Sequence, residues 1–83
     1  METGTYILHE NGFLAGNKKL VIRERKKHST KPKFYLAQLE PFEYISSLFP
    51  VPTTSEEEFT FDYEKQLYSL RKMKNLVEIQ KLE

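Results

Sequence analysis

Two short apolar runs, Leu20-Val21-Ile22 and Phe34-Tyr35-Leu36, bracket the most basic segment of the chain, Arg25 to Lys33. No other feature restricts the fold as much. Each run is built from β-branched, aromatic or aliphatic residues, and both are too short for a helix of their own. Pro32 biases Lys31 toward extended backbone and so aims the chain into the second run. The pair predicts a β-hairpin, 19–26 with 33–39, carrying a positively charged tip. Leu20 and Ile22 face opposite to Val21, and Phe34 and Leu36 face opposite to Tyr35 and Ala37. Such a sheet needs cover on both sides, at least in part.

The flanking segments extend the sheet. Thr5 to Glu10 alternates and reads as a first strand. Asn11-Gly12 and Gly16-Asn17 are turn signals, with the brief Phe13-Leu14-Ala15 between them. Either they enclose a small meander, or residues 10–18 form one irregular loop with a short paired stretch, the reading the spacing slightly favours. After the hairpin, Pro41 suits the first turn of a short helix whose one side would carry Phe42, Ile45, Leu48 and Phe49. Pro50 and Pro52 stop it, and 50–55 reads as an internal loop. Ser55 with Glu58 has capping-box spacing, whereas Phe59, Phe61 and Tyr63 alternate as a strand does. From Asp62 a longer helix is predicted on the spacing of Tyr63, Leu67, Leu70 and Met73, with Arg71, Lys72 and Lys74 near its end and Asn75 as its left-handed cap. Leu76 to Leu82 closes the chain as a strand, Val77 and Ile79 inward. The rival is one long helix over 56–82. The expectation is therefore an α+β fold: a small antiparallel sheet of three or four strands with one short and one longer helix packed on it.

Eighty-three residues make a single domain, 1–83. Six Phe and five Tyr supply core volume that the lean apolar fraction of 39% would otherwise lack. Without cysteine, disulfides and Cys-based zinc sites are excluded. No apolar run approaches the ~20 residues of a membrane helix, and the N-terminus lacks the pattern of a signal peptide. A soluble, intracellular, cytoplasmic protein with no membrane partner is the expectation.

Net charge is only +1, but it is sharply segregated. Residues 18–33 carry +7 and residues 34–64 carry −7, the latter without a single Lys or Arg. No phosphate loop, HExxH, EF-hand loop or nucleophile elbow is present. His9 and His28 are the only imidazoles, and His28 beside Ser29 and Thr30 lacks the third group that orients a nucleophile–base pair. No catalytic residue, cofactor or metal ligand is assigned, and an enzyme is not expected. Glu56, Glu57 and Glu58 could not all reach one ion from a regular strand or helix.

Two candidate surfaces follow. One is an anion- or partner-binding prong made of Arg23, Arg25, Lys26, Lys27, His28, Lys31 and Lys33, since Arg forks match carboxylate or phosphate and Lys adds point charge. The second places Tyr44, Phe59, Phe61 and Tyr63 among Glu56, Glu57 and Glu58, aromatics in a charged rim being binding-surface chemistry. The favoured function is a small non-catalytic protein–protein interaction module, an adaptor, regulator or inhibitor of a larger complex. The alternative is a nucleic-acid-binding accessory protein that meets phosphates through the basic hairpin 18–33. An exposed edge of an open sheet would give a route to a homodimer.

Overall fold

The computed structural model describes residues 1–26, 30–53 and 57–83, and in these the chain is all-β. Eight strands follow one another: β1 (Gly4–His9), β2 (Gly12–Ala15), β3 (Lys18–Glu24), β4 (Phe34–Gln38), β5 (Glu43–Pro50), β6 (Glu58–Tyr63), β7 (Gln66–Lys72) and β8 (Leu76–Leu82). Each pairs antiparallel with the next, and β8 returns to β1, so the sheet closes into an up-and-down barrel. The α+β expectation is overturned: no helix is present among the described residues, and thus none long and apolar enough to cross a membrane.

β1 and β5 are the corners. β1 gives Gly4–Ile7 to β8 and Leu8–His9 to β2. β5 gives Glu43–Leu48 to β4 but only Phe49 and Pro50 to β6. β1 and β8 spend their outer edges on each other, so the edge left unpaired lies along Glu43–Leu48 of β5 and the end of β6.

The interior is set by period-2 alternation. Phe13, Leu20, Leu36, Leu48, Phe61, Leu70, Val77 and Ile79 are all essentially inaccessible and point inward from seven different strands. Each such side chain contributes about 1.5–3 kcal/mol of burial. Two aromatic pairs tie β4 to β6 and β6 to β7: Phe34 meets Phe59 edge-on at 5.9 Å, and Phe61 stacks on Tyr68 at 5.3 Å. No charged or polar side chain is fully buried among the described residues. The barrel is a packed core at its middle, not a channel.

Both expected helices are strands, for identifiable reasons. In β5, Leu36 faces Ser46 while Ala37 faces Tyr44, so Ile45 is an extra residue in the ladder. This bulge turns Ile45 and Leu48 toward the core three residues apart, which mimics helical spacing. Farther on, Tyr63 pairs with Gln66 across a two-residue turn, Glu64-Lys65, with φ of 50° and 64°. That is the positive-φ pair of a type I′ hairpin turn, made without the Asn or Gly that normally announces it. β7 then alternates, with Tyr68 and Leu70 inward and Leu67 outward.

The first third of the chain is a true meander, not an irregular loop. Gly16, at φ 64°, opens the Gly16-Asn17 turn between Ala15 and Lys18. Gly12 begins β2 at φ 142°, where a Cβ would lie 2.6 Å from Val21 Cγ1 and closer still to the Leu20 carbonyl. Glycine is what allows β2 to lie down on β3. The 18–24/34–38 hairpin and the Leu76–Leu82 strand stand where the alternation put them.

Candidate interaction surface

An up-and-down barrel has two ends. One carries the β1–β2, β3–β4, β5–β6 and β7–β8 connections and so holds the basic hairpin tip. The other holds residues 1–3 and the β2–β3, β4–β5 and β6–β7 turns.

Arg25 follows β3 directly, its backbone N–H donating to the Lys33 carbonyl at 2.7 Å to close the hairpin neck. Its side chain folds back over the outer wall. Nη1 donates to the carbonyls of Pro32 (2.7 Å) and Phe34 (3.4 Å), and Nη2 to Tyr44 Oη (3.3 Å) and Ser47 Oγ (3.0 Å). The guanidinium lies 5.0 Å from the Tyr35 ring centre and 5.8 Å from that of Tyr44. The two rings are 5.7 Å apart at a 36° tilt, and Tyr44 and Ser47 share a 2.9 Å hydrogen bond. Outward positions of three strands are thereby fastened by one cation. Burial pushes the Tyr44 phenol up, but the hydrogen bonds with Ser47 and Arg25 and the charges of Arg25 and Lys31 prevail and bring it below its ordinary value.

This changes the standing of the prong. Arg25 has both terminal nitrogens committed to protein oxygens, so its fork is not presented to a phosphate. Lys33 pairs with Glu24 at 3.1 Å. Arg23 and Lys26 are exposed and take part in none of the ion pairs found among the described residues. Lys31 is exposed and near enough to Tyr44 to act on its phenol. Lys27 and His28 lie outside the described residues.

The second expected surface divides. Glu57 pairs with Lys72 at 3.9 Å and Glu58 with Arg71 at 4.0 Å, so both acids reach across to β7 rather than to the hairpin. Glu56 lies outside the described residues. Phe59 and Phe61, expected among exposed aromatics, are inside the barrel, because the alternation of β6 turns both to the core. Tyr63 also faces inward but near the opposite end, half-buried, where burial first and then the charge and hydrogen bond of Glu64 and the charge of Glu43 push its phenol up. Tyr44 alone of that set is on the outer wall, 50% exposed.

No protein-family model matches the chain, and no curated protein or solved structure matches it. The surface has to be read from its geometry.

Two further exposed aromatics, expected on the apolar side of a helix, lie at β5. Phe42 precedes β5 at 57% exposure, and Phe49 lies outward on β5 at 48%. Plain strand alternation over 43–50 would put Tyr44 and Phe49 on opposite faces; the extra residue at Ile45 is what brings both outside. Ser47 carries no signal in the sequence; only the register with Tyr35 brings it under Arg25. The outer wall of β3–β5 therefore carries the Tyr35–Tyr44 pair under Arg25, with Arg23 opposite Tyr35 and Lys31 near Tyr44, and with Phe42 and Phe49 exposed before and near the end of β5. Among the described residues no group of His, Asp or Glu is arranged to hold a metal ion.

Proposed function

We propose that the protein is a small non-catalytic protein–protein interaction module that docks the outer wall of β3–β5 onto an acidic surface of a larger protein. The observation that supports this most is the Arg25 clamp. It fixes Tyr35 and Tyr44 in place before any partner arrives, so little side-chain entropy remains to be lost on binding. Tyr and Arg are among the residue types that dominate interface energetics, and here Tyr35, Tyr44 and Arg25 lie together on the outer wall with exposed cations beside them. The charged outward positions of the strands, such as Glu58, Arg71 and Glu78, suit a barrel surrounded by water, and a soluble cytoplasmic location is the reading that fits them.

The nucleic-acid alternative draws on the same wall, since tilted tyrosines beside cations can stack bases. It is the weaker reading because Arg25 and Lys33, two of the strongest phosphate candidates, already have partners within the fold.

Affinity capture from an extract of the source cells, comparing the wild-type chain with Tyr44→Glu/Phe49→Glu, tests the proposal. A stoichiometric acidic protein retained by the wild type and lost by the double variant is the expected result. A labelled single-stranded oligonucleotide is titrated in parallel. Oligonucleotide binding whose log affinity falls with log salt at a slope of roughly −3 to −4, with no protein retained, would replace this reading with the alternative.

A further inference from the structure

β5 and β6 are joined only near the basic end, at Phe49 with Thr60 and Pro50 with Phe59. Toward the other end they part, and the bulge at Ile45 bends β5 further away. At that end the mouth of the barrel holds a cavity of about 570 Å³, lined from β2 round to the end of β6 and by Met1 and Glu2. That is the size of a small-molecule site. Ala15, Leu20 and Ile45 give it an apolar floor, continuous with the core. Gln38 and Tyr63 are its half-buried polar groups.

The charges around it are unbalanced. Glu2, Glu43 and Glu64 line the cavity against two ammonium groups, that of Lys18 and the N-terminal one of Met1, which donates to Tyr68 Oη at 3.3 Å, and none of the five joins an ion pair among the described residues. Glu43 and Glu64 both act on the Tyr63 phenol, so their fields converge on one wall of the cavity. An apolar floor below an anionic rim is complementary to a molecule that is apolar at one end and cationic at the other. A carboxylate or phosphate ligand would be repelled on the wall that carries Glu43 and Glu64.

We propose that the cavity in this mouth of the barrel binds a small organic cation with an apolar body, an arylalkylamine or a compound of that class. The body lies on Ala15, Leu20 and Ile45, and the ammonium is held by Glu43 and Glu64. The site lies at the opposite end of the barrel from the hairpin tip; it shares Tyr44 with the docking wall, but its ligand is held by other residues, so it does not depend on the partner-binding reading.

The chain has no tryptophan, so an indole ligand can be followed by its own fluorescence. Tryptamine, the neutral tryptophol and the anionic indole-3-acetate share one ring and differ in charge. Saturable anisotropy of tryptamine, with indole-3-acetate at least tenfold weaker and tryptophol between them, is the expected result. Glu43→Gln/Glu64→Gln should weaken tryptamine about tenfold and bring the three ligands together. Both positions are exposed, and the two single variants serve if the double one fails to fold. Tryptamine that does not saturate, or indole-3-acetate that binds as tightly, overturns the proposal, and the wild-type comparison alone is enough to do so.

Discussion

Replacing Arg25 tests the clamp and the tyrosine pair together. Arg25→Met keeps the apolar stem and removes the guanidinium. The two short hydrogen bonds, at 2.7 and 3.0 Å, are partly exposed, so about 1 kcal/mol each is a fair value despite the charged donor. The bonds at 3.3 and 3.4 Å add little. The contact with Tyr35 at 5.0 Å adds about 0.5–1 kcal/mol. The loss should total roughly 2–3 kcal/mol. For a domain of this size that lowers Tm by roughly 10–20 °C. Arg25→Lys keeps the charge but cannot reach the Pro32 carbonyl and Ser47 in one plane, so it should recover less than half of the loss. Urea unfolding followed by circular dichroism measures both variants, with an unchanged m-value showing that the native and unfolded states are otherwise the same. A loss below about 0.5 kcal/mol, as at an ordinary surface position, would refute the clamp. Full rescue by Lys would show that a point charge suffices and that the fork geometry is irrelevant.

Three further expectations follow from the fold. Glu64→Asn/Lys65→Gly puts favourable residues at two positive-φ positions and should raise stability by about 1–2 kcal/mol in thermal unfolding. Leu36→Ala, at a fully buried core position, should cost about 2–5 kcal/mol in the same assay. In a spectroscopic tyrosine titration, Tyr44→Phe should delete a phenol that ionises below the ordinary tyrosine value and Tyr63→Phe one that ionises above it. The linkage signs are opposite: above the unfolded tyrosine pKa the lowered Tyr44 adds stability, whereas the raised Tyr63 holds its full contribution below that pKa and loses it as pH rises through its folded value.

The parts of the fold that were legible in the sequence are those in which strand parity runs undisturbed. Leu20, Ile22, Phe34 and Leu36 alternate without interruption, and so do Val77 and Ile79, and both segments are strands with those residues inward. The two segments expected as helices share one cause, a local break in parity. The extra residue Ile45 shifts the register of β5 by one, and the Glu64-Lys65 turn uses residues with no turn signature. Each break produced a three- or four-residue recurrence of apolar positions that imitates a helix. Closure of the barrel was not legible either, because it rests on β1 pairing with β8 from the far end of the chain.

The candidate surface was legible in its charges and not in its contacts. Segregation of +7 from −7 is plain in the sequence. That Glu57 and Glu58 turn to Lys72 and Arg71, and that Arg25 turns inward on Tyr35 and Tyr44, depends on which strands become neighbours. The helical reading of 41–49 concealed the exposure of Phe42 and Phe49, whereas Phe59 and Phe61 looked exposed because alternation among carboxylates does not say which face of the strand meets the core.

Docking through the outer wall of β3–β5 is tested most directly by amide hydrogen exchange of the protein alone and in complex with the captured partner. New protection should appear at Tyr35, Ala37 and Tyr44 to Phe49, with β7 and β8 unchanged. Protection confined to β7 and β8, or to the acidic end around Glu43 and Glu64, would contradict docking through that wall.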